Sequence, residues 1–371
     1  QSTGAASLTV TNTYDDQGQL TAVSSPIGVI GYTYDNFGRR IQTAVFLAGA
    51  NPLIDTPQRT TSFTYDLLGR LESVIEDRDA SVTTDALLNT DYAYDLMGNL
   101  DSTLLPNNIL EDYEYDSLNR LDSLTHYKTD GTAADLADLS DNDKVAEFDY
   151  TLQADGKWTG LLETFWENSG GTAVTNNFAW QYDNLGRLTS EDLDSSDDAL
   201  DSTSIYSYDL TGNRTQVTRD TDRDGTVDET VNYTIDANDR LTQESTSDGK
   251  TTAYGYDHTQ QTSKTVTPAG SGFPLSAFRY TYDLQGRMQT VTITTKDTFG
   301  VATRIERTTY DYDAKGLRIS ALQEIDSDAD STWDQRTRTE FLVDHNNHTG
   351  YQQVVRETHY DADTGLITKT V

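Results

Sequence analysis

The sequence predicts an all-β protein, a long coiled antiparallel sheet built from repeated β-hairpins. Three observations support this fold class: a motif centred on Tyr-Asp recurs along the whole chain, aspartate far outnumbers glutamate, and no apolar run approaches the roughly 20 residues of a membrane helix. Of the 371 residues, 47 are Asp and only 14 are Glu. Asp favours turns and Glu favours helix interiors, so this imbalance indicates many turns.

The recurring motif is aromatic-x-Tyr-Asp-x-x-Gly-Arg-Leu. Aromatics two positions apart project from one face of a strand. Asp followed three residues later by Gly is the preference of a type I turn, and Arg-Leu begins the return strand. The clean copies contain Tyr34, Asp35 and Gly38; Tyr65, Asp66 and Gly69; Tyr182, Asp183 and Gly186; Tyr282, Asp283 and Gly286. About fourteen units of this kind, spaced about 20 to 34 residues apart, fill the chain.

The glycine position of the motif provides an internal test of the turn interpretation. Over the twelve best-aligned units its occupants are Gly18, Gly38, Gly69, Gly98, Gly186, Gly212, Gly286, Gly316, Asn119, Asn347, Asp239 and Gln260. Gly, Asn and Asp are the residues that tolerate a positive φ. The pattern therefore predicts a left-handed residue at each turn, except for a distorted turn around Gln260.

These residues resemble the YD-repeat, or RHS-repeat, family of bacterial RHS proteins, toxin-complex shell proteins and teneurins. The resemblance covers essentially all of residues 8–371. It implies a spiral sheet of hairpins that often closes into a hollow shell around a toxic C-terminal segment. No core plug and no trailing toxin domain is recognised in this sequence. We therefore expect residues 1–371 to form a single repeat array within a larger protein.

The repeat also predicts how the sheet is organised. Two strands per unit give about 28 strands, and a sheet of that size coils because neighbouring strands twist by about 20–25°. All the Asp-x-x-Gly turns should lie on one edge of the sheet. The connections between units should lie on the other edge, and several of them are rich in acids.

Charge and cysteine content exclude several classes of function. The formal net charge is −34, so nucleic acid and anionic membrane surfaces are improbable partners. The absence of cysteine excludes disulfides, cysteine-ligated zinc and thiol catalysis. The resemblance implies a secreted or cell-surface location in a bacterium.

Two acidic loops have the spacing of calcium ligands. The first contains Asp220, Asp222, Asp224, Thr226 and Asp228, and the second contains Asp326, Asp328, Asp330 and Asp334. Alternate carboxylates of such a loop can converge on one ion, and a backbone carbonyl near Thr226 would supply another oxygen. The terminal bidentate Glu of a complete EF-hand is missing from the first loop. Calcium is therefore predicted at one or two sites, and a solvated acidic loop is the alternative.

No residues form a recognisable catalytic constellation. The Asp residues of the repeat are explained by turn capping, and His345 and His348 lack a third metal ligand. We expect a non-enzymatic structural module that encloses or displays another polypeptide, such as a C-terminal toxin. The alternative is a calcium-dependent adhesin or carbohydrate-binding module, with a surface glycan as its ligand.

Overall fold

The computed structural model of the chain describes residues 10–80, 87–129, 143–166, 172–344 and 351–371. The prediction of an all-β fold made of antiparallel hairpins is confirmed, because the described residues form 27 strands and one short 3-10 helix, Asp198–Leu200. None of the described helices is long and apolar enough to cross a membrane. The strands are β1 (Thr11–Tyr14), β2 (Leu20–Ser25), β3 (Gly28–Tyr34), β4 (Arg40–Phe46), β5 (Arg59–Tyr65), β6 (Leu71–Asp77), β7 (Leu88–Tyr94), β8 (Leu100–Leu104), β9 (Ile109–Tyr115), β10 (Leu121–Lys128), β11 (Asp143–Leu152), β12 (Trp158–Trp166), β13 (Ala173–Tyr182), β14 (Leu188–Ser195), β15 (Ser202–Tyr208), β16 (Arg214–Asp220), β17 (Glu229–Ile235), β18 (Leu241–Thr246), β19 (Thr251–Asp257), β20 (Gln260–Thr267), β21 (Ser276–Tyr282), β22 (Met288–Lys296), β23 (Ala302–Tyr312), β24 (Arg318–Asp326), β25 (Gln335–Asp344), β26 (Gln353–Asp361) and β27 (Ile367–Thr370).

The contacts within the chain group it into two compact units. Unit 1 consists of Gln1–Phe63, Ile75–Leu87 and Thr252–Val371, and unit 2 consists of Thr64–Val74 and Leu88–Thr251. In unit 2, each strand from β7 to β18 pairs antiparallel with the next. In unit 1, the same sequential pairing joins β1 to β4, and β4 to the first residues of β5. It also joins β20 to β27.

The hairpins share one turn geometry, which the β3–β4 hairpin illustrates. Gly38 N–H donates to the Asp35 carbonyl at 3.0 Å, and Asp35 N–H donates to the Arg39 carbonyl at 2.9 Å. The register then shifts by one residue after Thr33, so that Tyr34 lies opposite Arg40. A type I turn followed by a left-handed glycine produces this bulge.

Most strands are only partly buried, and the fully buried apolar side chains concentrate in unit 1. Val23, Val29 and Ile30 are at most 2% exposed, whereas the strands from β11 to β15 contribute only Ala146 to the buried apolar set. β3 is buried on both faces over Gly28–Tyr32. Hydrogen bonding and cross-strand pairing therefore contribute most of the order in unit 2, and unit 1 has an additional apolar core.

Candidate metal centres and inter-repeat contacts

The Asp of each repeat caps its own turn. In the β13–β14 hairpin, Oδ1 of Asp183 accepts hydrogen bonds from the backbone N–H groups of Leu185 at 2.9 Å and Arg187 at 3.0 Å. Its Oδ2 accepts from Nε of Arg187 at 2.6 Å. These hydrogen bonds, first the one from the Arg187 backbone, hold the pKa of Asp183 below its usual value. The same Asp–Arg pair recurs at Asp35–Arg39, Asp66–Arg70, Asp116–Arg120, Asp236–Arg240 and Asp283–Arg287.

In four of these turns the Arg, at positions 70, 120, 187 and 287, also contacts the following repeat. The Arg187 guanidinium lies 4.7 Å from the ring centroid of Tyr208, and its Nη1 donates to the Asp209 carbonyl at 3.0 Å. Arg70 over Tyr94 and Arg287 over Tyr312 repeat the stacking at 4.3 and 4.7 Å. The side chain of one residue thus holds the carboxylate of its own turn and the tyrosine of the next hairpin.

The Tyr of the Tyr-Asp pair fastens each hairpin to the preceding one. Tyr208 Oη donates to the Leu188 carbonyl at 2.7 Å. Equivalent hydrogen bonds join Tyr34 to Leu20, Tyr94 to Leu71, Tyr115 to Leu100, Tyr182 to Trp158, Tyr282 to Gln261 and Tyr312 to Met288. We call the Asp cap, the stacked Arg and the donating Tyr together the inter-repeat latch. The Asp, Arg and Tyr side chains of the latch are all engaged in structural contacts.

The backbone at the glycine position is left-handed wherever the structure describes it in the Asp-x-x-Gly turns. The φ values of Gly98 and Gly212 are +94° and +100°, and Asn119 and Asp239 have φ of +63° and +58°. Around Gln260 the turn is different. His258 has the positive φ, of +52°, and β20 already begins at Gln260.

In the first acidic loop, three of the predicted ligands come together. Carboxylate oxygens of Asp220, Asp222 and Asp224 lie within 4.8 Å of one another. Oδ1 of Asp220 is buried and accepts no hydrogen bond in the described part of the chain. Asp228 is not part of this group, and its Oδ2 accepts from the backbone N–H of Thr221 at 2.7 Å.

Two other residues of this loop determine its surroundings. The backbone N–H of Thr226 donates to Asp224 Oδ1 at 2.7 Å. Arg223 has a φ of +55° and its guanidinium lies 3.0 Å from Asp192 and 2.8 Å from Asp194. The nearest cation in the loop is therefore engaged with β14 and leaves the three clustered carboxylates uncompensated.

The second acidic loop has the same conformation. Positive φ occurs at Ala329 and Ser331, where the first loop has Arg223 and Gly225. Ser331 N–H donates to Asp326 Oδ2 at 2.9 Å, as Gly225 N–H donates to Asp220 Oδ2 at 2.8 Å. The two loops thus place their first carboxylate in equivalent hydrogen-bonding positions.

The set of clustered acids differs in the second loop. Oxygens of Asp326, Asp328 and Asp334 lie within 4.8 Å of one another, and Asp330 is not among them. Oδ1 of Asp330 instead accepts from the backbone N–H of Thr332 at 2.8 Å. The Asp326 side chain is only 2% exposed and forms no ion pair within the described residues. A buried carboxylate surrounded by carboxylates is costly unless a cation neutralises it.

Unit 1 contains a contact that sequence reasoning missed, between strands about 310 residues apart. Tyr32 Oη donates to Oδ1 of Asp344 at 2.7 Å, and Arg40 Nη1 lies 4.0 Å from Asp344 Oδ2. Asp344 and Arg40 are 2% and 8% exposed. Burial, and then the charge of Asp344, raise the pKa of Tyr32. We call this group the closing cluster.

Apolar packing surrounds the closing cluster. Leu342 of β25 is 2% exposed and packs with Val23, Ile30 and Val45 of β2, β3 and β4. Arg356 Nη1 of β26 donates to the Ile27 carbonyl at 3.1 Å. The apolar run from Ile27 to Ile30 is a sequence signal of burial, but it does not indicate which strand covers it. His345 and His348 lie outside the described residues.

The fold and these contacts define a class of protein: an array of Tyr-Asp β-hairpins in which each repeat is latched to its neighbour. Two segments, residues 14–45 and 236–271, match the RHS Repeat family profile. The predicted resemblance is thus confirmed, with RHS repeats recognised at these two segments. No curated protein matches the chain by sequence.

Several solved structures are similar to the chain at low identity. The TcdB2–TccC3–Cdc42 and TcdB2–TccC3 crystal structures each match 98% of this chain at 15% identity with a TM-score of 0.45. The chain spans only 22% of the length of those matched chains. A porin-like protein from Bacteroides uniformis ATCC 8492 matches 71% of this chain and 92% of its own, at 12% identity and a TM-score of 0.26.

Proposed function

We propose that this chain is a non-enzymatic structural module, a stretch of β-hairpin wall that encloses or displays another polypeptide in a secreted or surface RHS protein. The observation that carries the proposal is the inter-repeat latch. The most numerous carboxylates and guanidiniums of the repeat are used to hold turns and neighbouring hairpins together. A surface organised in this way is suited to build an extended wall, and the RHS repeats support the same function.

The proposal is tested on the parent protein. We expect its full open reading frame to encode a further polypeptide that resists protease when joined to this module. The double variant Arg70→Ala with Arg187→Ala should weaken two latches, because both side chains stack on the Tyr of the next hairpin, and should increase cleavage of that polypeptide. The variant Arg279→Ala is a control, since this side chain has no ion pair or hydrogen bond within the described residues. Equal cleavage of the polypeptide with and without the module would contradict the proposal.

We also propose that calcium binds the two acidic loops. Three observations support calcium binding: the clustering of three carboxylates in each loop, the buried unpaired oxygen of Asp220 and the burial of Asp326. Hard cations with oxygen ligands relieve such repulsion. The loop ends are already fixed by β16 and β17 and by β24 and β25, which lowers the ordering cost of binding.

Thermal melting in calcium, magnesium and chelator tests the metal proposal. Without the bidentate Glu we expect a Kd of about 10⁻⁴ to 10⁻³ M. Calcium at about 1 mM should then add roughly 0.4–1.4 kcal/mol per site to the free energy of unfolding. The pair Asp222→Ala with Asp224→Ala should abolish the gain of the first loop, and Asp328→Ala that of the second. Asp16→Ala serves as an acidic control, because this exposed residue lies outside both loops, and identical melting in calcium and chelator would refute calcium binding.

The alternative, a calcium-dependent adhesin or carbohydrate-binding module, has less support. Carbohydrate binding by stacking needs accessible aromatic faces. Trp180 stacks on Phe178 and donates to Glu191, and Trp333 lies under the guanidinium of Arg307. Reproducible glycan-array hits that require calcium would favour this alternative over the structural module.

A further inference from the structure

The turns of unit 2 expose large apolar side chains at their two central positions. Leu67, Leu68, Leu96, Met97, Leu185 and Leu210 are between 77% and 106% exposed. The turn itself does not require them, because the same positions hold Asn36, Asn184 and Gln285 in other repeats. In a chain of net charge −34, so many exposed apolar tips call for an explanation beyond the fold.

These tips lie side by side along one edge of unit 2. Neighbouring turns contact one another through Asn99 and Asn119 at 2.6 Å, Arg120 and Gln153 at 2.7 Å, Arg187 and Asp209 at 3.0 Å, and Asn213 and Asp239 at 2.8 Å. Arg70 stacks on Tyr94 and joins the first turn to this series. We call the seven turns at 66–69, 95–98, 116–119, 153–156, 183–186, 209–212 and 236–239 the turn edge.

Five of the eight acids of the turn edge are compensated by a cation, and the other three, Asp95, Asp209 and Asp239, accept hydrogen bonds from neutral side chains. Asp66, Asp116, Asp183 and Asp236 are each paired with the Arg of the same turn at 2.6–2.7 Å. The acids of the first acidic loop lie on a connection between hairpins, away from these turns. Exposed apolar side chains gathered along one edge are typical of an interaction surface.

We propose that the turn edge of unit 2 is an interface that pairs with the same edge on a second copy of this chain. Adjacent turns are two strands apart, so the large apolar tips of the five turns at 66–69, 95–98, 116–119, 183–186 and 209–212 lie at multiples of about 9.6 Å from one another. A second copy, related by a two-fold axis, presents the same period, and its tips fit between those of the first. A second copy of the chain necessarily has the same spacing between its turns, whereas an unrelated partner does not.

The size of the turn edge suits such a pairing. Seven turns two strands apart extend over roughly 60 Å. With a width of about one hairpin, near 10 Å, the contact would cover on the order of 600 Å² per copy. A standard interface buries about 800 Å² per partner, so we expect a reversible dimer rather than a permanent one. The inference does not depend on what the module encloses.

Sedimentation velocity on the full chain tests the proposal, at about 1–100 µM protein and at low and high salt. The test variant combines Leu96→Asn, Met97→Gln, Leu185→Gln and Leu210→Asn, which are residues that this chain uses in its own turns. The control variant combines Val174→Thr, Leu200→Asn and Ile205→Thr, which are exposed apolar residues outside the turns. Circular dichroism and melting verify that both variants fold.

We expect the wild-type chain to dimerise, the turn-edge variant to raise the dissociation constant at least tenfold, and the control to change it less than about twofold. Salt of about 0.5 M should strengthen the dimer, because it screens repulsion between two acidic chains. A monomeric wild type at the highest concentration and salt would overturn the proposal. A turn-edge variant that dimerises as tightly as wild type would also overturn the proposal. If that variant misfolds, hydrogen exchange of the turn amides in the wild-type chain provides the test. We expect this exchange to become slower as the protein concentration rises, and exchange that does not depend on concentration would overturn the proposal.

Discussion

The closing cluster of unit 1 allows a quantitative test by a double-mutant cycle. Tyr32→Phe removes only the hydroxyl that donates to Asp344 at 2.7 Å. A hydrogen bond to a charged group contributes about 1.5–3 kcal/mol, so we expect a loss of that size in the free energy of unfolding. Asp344→Asn removes the negative charge beside the buried Arg40 and should cost about 3–5 kcal/mol.

The double variant should lose less than the sum of the two single variants. The amide oxygen of Asn can still accept from Tyr32, so the difference, a coupling energy of about 1 kcal/mol, measures the extra strength that the charge of Asp344 gives the hydrogen bond. Tyr34→Phe is the matched control, since its hydroxyl donates to the neutral Leu20 carbonyl, and we expect it to cost only about 0.5–1.5 kcal/mol. Urea unfolding supplies the energies, and hydrogen exchange of β3 and β25 locates the change. A coupling below about 0.5 kcal/mol would refute the role assigned to this cluster.

Three further predictions concern the repeats. Gly98→Val should lower the free energy of unfolding by roughly 1–3 kcal/mol, and Gly98→Asn should lower it clearly less. The reason is the φ of +94°, which Asn tolerates better than Val, since a Cβ atom at this position would meet no neighbour. Equal melting temperatures of the two variants would contradict this prediction. Arg187→Lys should lower the free energy of unfolding by about 1–2 kcal/mol through lost stacking and capping, with Arg279→Lys as a neutral control in the same denaturation assay. Desolvation tends to raise the pKa of Asp209, but hydrogen bonds from Asn213 and Thr211 outweigh it and lower the pKa to about 2. The melting temperature of wild type should therefore exceed that of Asp209→Asn by its full amount above about pH 4, and this difference should disappear as the pH falls through about 2. A difference that persists below about pH 2 would contradict the capping role of Asp209.

The turns could be predicted because their chemistry is local. Asp183 and Gly186 are three residues apart, and both the cap and the left-handed backbone depend only on this spacing. The same logic singled out Gln260, where no residue tolerant of positive φ occupies the glycine position. The direction of the Arg and Tyr side chains toward neighbouring repeats was harder to foresee, since it depends on the bulge that follows each turn.

The closing cluster could not be predicted, because nothing local in the sequence indicates that Asp344 meets Tyr32. The composition of the acidic clusters was predictable only in part. Spacing indicated that carboxylates would converge, but it did not indicate which ones would. Asp228 and Asp334 occupy equivalent positions and both accept from a backbone N–H, yet only Asp334 belongs to a cluster.

The inter-repeat latch has a consequence for how such a gene can evolve. Neighbouring hairpins recognise each other through a backbone carbonyl and a tyrosine that recur along the repeats, as the contacts of Tyr208 with Leu188 and Arg187 show. An in-frame duplication of one repeat therefore inserts a hairpin whose two junctions already have their partners. Lengthening the gene by whole repeats requires no compensating mutation at the junctions. The closing cluster differs, because the pairing of Tyr32 with Asp344 is not repeated in other hairpins of the described residues. A duplication or loss of repeats must therefore preserve this one pair in unit 1.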